Sequence, residues 1–126
     1  MRIRVYYEDT DAAGIVYYAN YLKFCERARS ELFFSNDLSP QSDEGYFVVK
    51  KLEAEYKKPA KLGDWVTVDT KMIDKRAASI TLLQRVMRDD EILFTMTVRL
   101  AYLANGRPSK IPPHLYSLIS AWESES

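Results

Sequence analysis

Two aspartates, Asp9 and Asp11, sit two residues apart in the stretch YEDTDAAGIVYYANY (7–21), which turns abruptly aromatic just as a helical pattern begins. A strand-to-helix junction of this kind meets exposed backbone N–H groups, because the first four donors of a helix have no intrahelical partner and carry the positive end of its dipole. A carboxylate there either caps the helix and shapes the turn, or does chemistry at that end. Gly14 serves both readings by allowing a backbone conformation closed to other residues. The chemistry must suit one carboxylate working without histidine, metal or cofactor. Thioester hydrolysis fits. The leaving thiolate has a parent pKa near ~8.5, so its departure needs little acid catalysis. A carboxylate then activates water or attacks directly, and backbone amides at the helix start receive the developing oxyanion.

The elements that would position this stretch are legible from periodicity. Residues 18–34 carry Tyr18, Tyr21, Leu22, Cys25, Ala28 and Leu32 at three- and four-residue spacing, with Lys23, Glu26, Arg27 and Ser30 largely opposite. Period-two alternation marks strands at 2–7, 46–56, 64–73, 78–88 and 91–102. In 46–56 the shared apolar face is expected to hold Tyr46, Val48, Leu52, Ala54 and Tyr56, with Lys50 as the exception. In 91–102 it is expected to hold Ile92, Phe94, Met96, Val98, Leu100 and Tyr102. The short polar turns DKRA (74–77) and RDDE (88–91) predict an antiparallel meander, and Asn105-Gly106 is expected to end the last strand. A short helix is expected after Pro112-Pro113. The order of strand, long helix and four strands predicts an α+β fold, with one helix over a five-stranded antiparallel sheet. Thr67, Thr81, Thr95 and Thr97 give the other face of that sheet small neutral residues, so pairing with another copy is expected.

Composition narrows the function. The 126 residues imply one domain, 1–126, and 47% hydrophobic content is enough for a core. Eighteen basic and eighteen acidic residues cancel, which disfavours a nucleic-acid surface. One cysteine, Cys25, excludes an internal disulfide framework, and with a single histidine, His114, zinc chemistry is nearly excluded too. The N-terminus MRIRVYYED alternates like a strand rather than a signal peptide, and no segment approaches the ~18 apolar residues of a membrane span. A cytoplasmic protein is expected.

The longer stretch YYEDTDAAGIVYYANYLKFCERARSELF (6–33) resembles the signature of the hotdog-fold acyl-CoA thioesterases of the YbgC type, with the 4-hydroxybenzoyl-CoA thioesterases closely similar. GRPSKIP (106–112) also resembles the YbgC type, and strand order matches along nearly the whole chain. The resemblance implies a hotdog fold, with a long central helix wrapped by the sheet, and hydrolysis of acyl-CoA to free acid and CoA. It implies that Asp11 is the catalytic base or nucleophile, that Asp9 is structural, and that the Tyr18 backbone N–H polarises the thioester carbonyl beside Tyr7. Gly14 would shape the substrate loop, and Arg76 and Ser79 in DKRAAS match the region that holds the CoA nucleotide. No metal or organic cofactor is implied, CoA being part of the substrate. The family shares its active sites across a homodimer, which often assembles into a homotetramer, and the YbgC type is associated with the Tol-Pal system at the inner membrane. This chain departs from the YbgC pattern at Tyr18, where histidine is common; the hydroxybenzoyl type has tyrosine there.

Other residues read as structural. Cys25 and the aromatics Tyr17, Tyr18 and Tyr21 are expected mostly as core, although the tyrosines could line an acyl pocket. Glu26 and Glu31 are expected in ion pairs with neighbouring arginines, and Lys57, Lys58 and Lys61 as solvated loop charge. A hotdog dehydratase would need histidine beside the motif, and His114 is far from it in sequence. A non-catalytic hotdog protein that binds acyl thioesters or a protein partner is the alternative from another class.

Overall fold

The computed structural model describes residues 1–123. Along the chain come β1 (Arg2–Arg4), a 3₁₀ turn (Tyr7–Asp9), α1 (Asn20–Phe34), β2 (Tyr46–Tyr56), β3 (Trp65–Lys75), β4 (Ser79–Arg88), β5 (Glu91–Ala104), β6 (Arg107–Pro108) and α2 (Pro113–Ile119). The strands form one antiparallel sheet in the order β1-β3-β4-β5-β2, with β6 paired to β5. The fold is α+β, as expected, but the sheet has a sixth, two-residue strand. Asn105 (φ 53°) and Gly106 (φ 74°) both take positive φ, so the chain does not simply end its strand there. It reverses through a two-residue hairpin and pairs Ala104 with Arg107.

α1 is 15 residues long and lies on the sheet through Tyr21, Phe24, Cys25 and Phe33, all buried. Burying a side chain the size of Phe24 contributes ~1.5–3 kcal/mol. The helix begins at Asn20 rather than 18, because i→i+3 bonds come first: Asn20 N–H to Tyr17 O (2.8 Å) and Leu22 N–H to Ala19 O (3.2 Å). β1 is likewise shorter than its alternation suggests. The Asp9 carboxylate accepts the Tyr6 N–H at 2.9 Å and Thr10 Oγ1 donates to Tyr7 O at 2.8 Å, so these short polar side chains curl the chain out of the sheet.

Bulges move side chains between faces. In β2 the register steps from Val49↔Leu100 to Lys51↔Arg99, leaving Lys50 as the extra residue. Phe47 and Val49, not Tyr46 and Val48, therefore share the core-side face with Leu52, Ala54 and Tyr56. In β5 the extra residue is Leu93, fully buried, so Leu93 replaces Ile92 at that end of the core. α2 starts at Pro113 as the sequence predicts. With the turn after it, it closes the far end of the core, where Trp122 meets Phe33 edge-on at 6.4 Å.

Gly45 sits where the chain passes close against β5. A Cβ there would fall 2.5 Å from both Leu103 O and the Tyr102 hydroxyl. Gly45→Ala is expected to lower unfolding stability by about 1–3 kcal/mol through overpacking, measured by urea denaturation. A stability equal to wild type would show that the strand end moves freely.

Candidate active site

The loop between β1 and α1 is built from its own backbone. Asp11 N–H donates to Ile15 O (2.9 Å) and Gly14 N–H to Asp11 O (3.0 Å), and Thr10 bridges Val16. Gly14 turns this loop at φ 78°, a conformation that strains residues with a side chain. A second segment, 60–64, clamps it. Val16 N–H donates to Ala60 O (2.9 Å), Leu62 N–H to Gly14 O (3.0 Å), and Gly63 N–H to Val5 O (2.9 Å). The clamp is tied to the helix by Tyr21, whose buried hydroxyl accepts the Ala60 N–H at 3.0 Å while its ring stacks on Phe94.

Each aspartate accepts one backbone N–H through its carboxylate, and the two separate by burial and by the elements they join. Asp9 is partly buried and joins the turn to the helix: one carboxylate oxygen accepts the Tyr6 N–H, and its carbonyl accepts from Tyr17 N–H (3.0 Å) and Asn20 Nδ2 (2.9 Å). Asp11 is exposed; its Oδ1 accepts the Ala13 N–H at 2.9 Å, and among the described residues its other oxygen has no hydrogen-bond partner. Tyr18 follows, two residues before α1. Among the described residues no acceptor meets its backbone N–H, and its exposed ring touches Tyr17 (4.9 Å) and Tyr56 (5.9 Å). Tyr7 is exposed on the 3₁₀ turn of the same loop. Asp11, Gly14, Tyr18 and Tyr7 thus belong to one loop, offering a carboxylate with an open oxygen and an open amide donor.

Arg76 and Ser79 are not part of it. Arg76 N–H donates to Ser79 O (2.8 Å) in the β3–β4 turn, and its guanidinium pairs with Asp74 at 3.0 Å. That turn lies at the opposite end of β3 from the clamp, ~33 Å away at ~3.3 Å per residue over the 11 residues of the strand.

The remaining residues fall as follows. Cys25 is fully buried, and desolvation pushes its thiol up to about 12, so it is an inert core group. Lys57 pairs with Glu55 (3.4 Å) and Lys58 with Glu91 (2.7 Å), which fits loop charge. His114 faces Glu44 at 3.4 Å, both exposed. Glu26 and Glu31 differ from expectation. Among the described residues neither forms an ion pair, and Glu26 accepts instead from the Ser30 hydroxyl. Sequence reading missed the clamp's electrostatic anchor. Asp64 accepts from Lys61 N–H (2.8 Å) and Arg88 Nη1 (2.7 Å), and Arg88 also holds Glu91 at 2.8 Å. Gly63-Asp64 after a lysine-rich loop signals a turn, but its partner Arg88 is 24 residues on.

Burial raises the Asp64 pKa, but the Lys61 amide and the Arg88 guanidinium outweigh it and hold the carboxyl below its ordinary value. The stabilisation is therefore complete above the unfolded pKa of ~3.9 and is lost as pH falls through the lower, folded value. Asp64→Asn is expected to lower the melting temperature at neutral pH and flatten its decline below about pH 4. An acid limb that keeps its wild-type slope would show that this carboxylate contributes nothing.

The family model of the thioesterase-like superfamily matches residues 5–119. The acyl-CoA thioesterase YbgC of Helicobacter pylori is 48% identical over 86 residues, covering 68% of this chain and 65% of the relative, so the match spans just under two thirds of that protein. The acyl-CoA thioesterase YbgC of Haemophilus influenzae is 42% identical over 109 residues, 83% of this chain and 80% of the relative. A thioesterase from Thermus thermophilus, solved with coenzyme A and zinc, superposes with a TM-score of 0.85 at 28% identity, covering 100% of this chain and 95% of that one. By the sheet, the helix laid on it and these matches, the chain belongs to the thioesterase-like superfamily and, within it, to the YbgC-type hotdog thioesterases.

Proposed function

We propose that the protein hydrolyses acyl-CoA thioesters, with Asp11 as general base or nucleophile and the Tyr18 N–H as an oxyanion donor. The observation that carries this is one loop holding an exposed carboxylate, Asp11, and a backbone amide, Tyr18, with no acceptor among the described residues, while the partly buried Asp9 ties Tyr6, Tyr17 and Asn20 together. As a base, Asp11 takes a proton from water and the hydroxide adds to the thioester carbonyl. The Tyr18 amide holds the resulting oxyanion. When the tetrahedral intermediate collapses, the C–S bond breaks, and the CoA thiolate leaves and takes up a proton. As a nucleophile, Asp11 displaces the thiolate to form an anhydride that water then opens. Neither route draws on a metal or an organic cofactor. The donor is a backbone group, so the tyrosine in place of histidine at position 18 does not remove it.

The Arg76–Ser79 turn enters the same reading through a dimer. The pantetheine arm of CoA is about a dozen linked atoms, equal to four extended residues or ~14 Å, less than half the length of β3. One CoA therefore meets both ends only if they come from different protomers. β2 offers the means: it is an edge strand whose Val49, Leu52 and Tyr56 are 48%, 39% and 46% exposed. Antiparallel pairing of two such edges brings the Asp11 end of one protomer beside the Arg76 end of the other. The threonine-bearing face of the sheet (Thr81, Thr95, Thr97) is the surface on which two dimers would form a tetramer.

Thiol release from a panel of short, long and aromatic acyl-CoAs tests the chemistry. Asp11→Asn is expected to lower kcat by about 10²- to 10⁴-fold, while Tyr18→Phe, which keeps the amide, stays within a few-fold of wild type. Equal turnover by wild type and Asp11→Asn would overturn the mechanism. Binding of every acyl-CoA without thiol release would make the protein a non-catalytic binder.

A further inference from the structure

The inward side of α1 carries a cation that the site chemistry does not use. Arg29 is partly buried, and its Nη1 donates to Gln84 Oε1 at 2.9 Å. Gln84 is fully buried, and its amide is locked because Nε2 donates to Cys25 O and to Thr70 Oγ1, both at 3.0 Å. Its carbonyl is thereby aimed at Arg29. A guanidinium has five N–H donors, and a neutral amide oxygen is poor compensation for a half-desolvated charge. Among the described residues no carboxylate lies within 4.0 Å of Arg29. Burial lowers its pKa, opposed by the Cys25 thiol and the Glu26 carboxylate.

Glu26 lies one turn away on the same side, with Ser30 as its hydrogen-bond partner and, among the described residues, no cation in ion-pair range. Both residues line a groove of about 310 Å³ between α1 and β2, walled by Val49 and Leu52 and open at the unpaired edge of the sheet. Position matters here. Glu26 and Arg29 flank the midpoint of α1 (Asn20–Phe34), and Val49 and Leu52 flank the midpoint of β2 (Tyr46–Tyr56). The two midpoints share one groove, so a single two-fold axis serves helix and strand together.

We infer that α1 crosses its copy in a second protomer at this midpoint, with Glu26 of each chain bonded to Arg29 of the other. A two-fold contact maps residue i onto j and j onto i, so one geometry makes two identical ion pairs. A shift one way would set Glu26 against Glu26 with Arg29 against Lys23, and a shift the other way Arg29 against Arg29, so the pair fixes the register of the crossing. Gln84 acts beneath it as a positioning residue that holds the guanidinium toward the seam. The inference rests on the dimer reading above and adds the contact that specifies it.

The test uses Glu26→Arg and Arg29→Glu in the full chain, with dimer dissociation constants from sedimentation at a series of concentrations. Each variant alone sets like charges across the crossing and is expected to weaken the dimer at least ~10-fold. Mixing the two gives one chain with two cations and one with two carboxylates. Every crossing contact is then attractive, and the mixed dimer is expected within a few-fold of wild-type affinity. Circular dichroism reports whether each variant folds. If Arg29→Glu does not, the exposed Glu26→Arg variant is paired with Arg29→Gln, and that mixed dimer must be tighter than the Glu26→Arg homodimer. Variants that dimerise as wild type overturn the ion pair and leave the dimer standing, as do weakened variants that mixing fails to restore. A wild-type monomer overturns the pair and the dimer together, while the thiol-release assay judges the Asp11 chemistry separately.

Discussion

The site depends on a backbone contact between two segments far apart in sequence. The loop from Asp11 to Val16 has little side-chain burial of its own, Val16 excepted; its own backbone bonds make the turn, and hydrogen bonds with Ala60 and Leu62 hold it against the sheet. Those bonds run between main-chain groups, which are obligatory donors and acceptors whatever the side chains. The clamp is in turn seated by Tyr21 from the helix, by Asp64 through Arg88 from β4, and by Val5 at the end of β1. Helix, sheet and loop therefore converge on one short segment. An error of an ångström in any of them would reach the Asp11 carboxylate, the scale at which positioned groups lose effect.

Within that frame, environment rather than residue type assigns the roles. Asp9 and Asp11 have the same side chain two positions apart, but Asp9 is partly buried and reaches back to Tyr6, while Asp11 is exposed and reaches forward to Ala13. The same logic separates the charges elsewhere. Arg88 sits between two carboxylates and is neutralised within the chain, whereas Arg29 leans on a neutral amide. An ion pair completed inside the protomer stiffens it. A cation met only by a neutral amide keeps N–H donors that an anionic group of another molecule could take up.

Local patterns in the sequence carried much of the fold. Period-two alternation located β2, β3, β4 and β5, three- and four-residue spacing located α1, and the aspartate motif led to the loop where the open carboxylate is found. The misreadings of the strands share one cause, which is that a single residue's backbone conformation changes everything downstream. The bulge at Lys50 reversed the face of Phe47 and Val49, and the one at Leu93 exchanged Ile92 for Leu93. Positive φ at Asn105 converted a strand end into a hairpin. Periodicity assumes an unbroken pleat and cannot register such events. Nor could it pair Asp64 with Arg88 or Arg29 with Gln84, since those contacts depend on strand register between distant segments.

The bulge in β2 bears on how the molecule avoids becoming a polymer. An open, apolar edge strand invites further strands to add, and long flat ladders lead toward fibrils. In β2 the ladder is broken near its middle by an extra residue, Lys50, followed by Lys51, both exposed. The kink twists the edge, and the ammonium groups stay hydrated, so no long uninterrupted run of unpaired N–H and C=O groups is on offer. A partner strand, such as the second β2 of the proposed dimer, meets two short half-ladders instead. The same irregularity that defeats a simple reading of the sequence divides the edge into two short runs, a length that suits one partner strand and works against a growing stack.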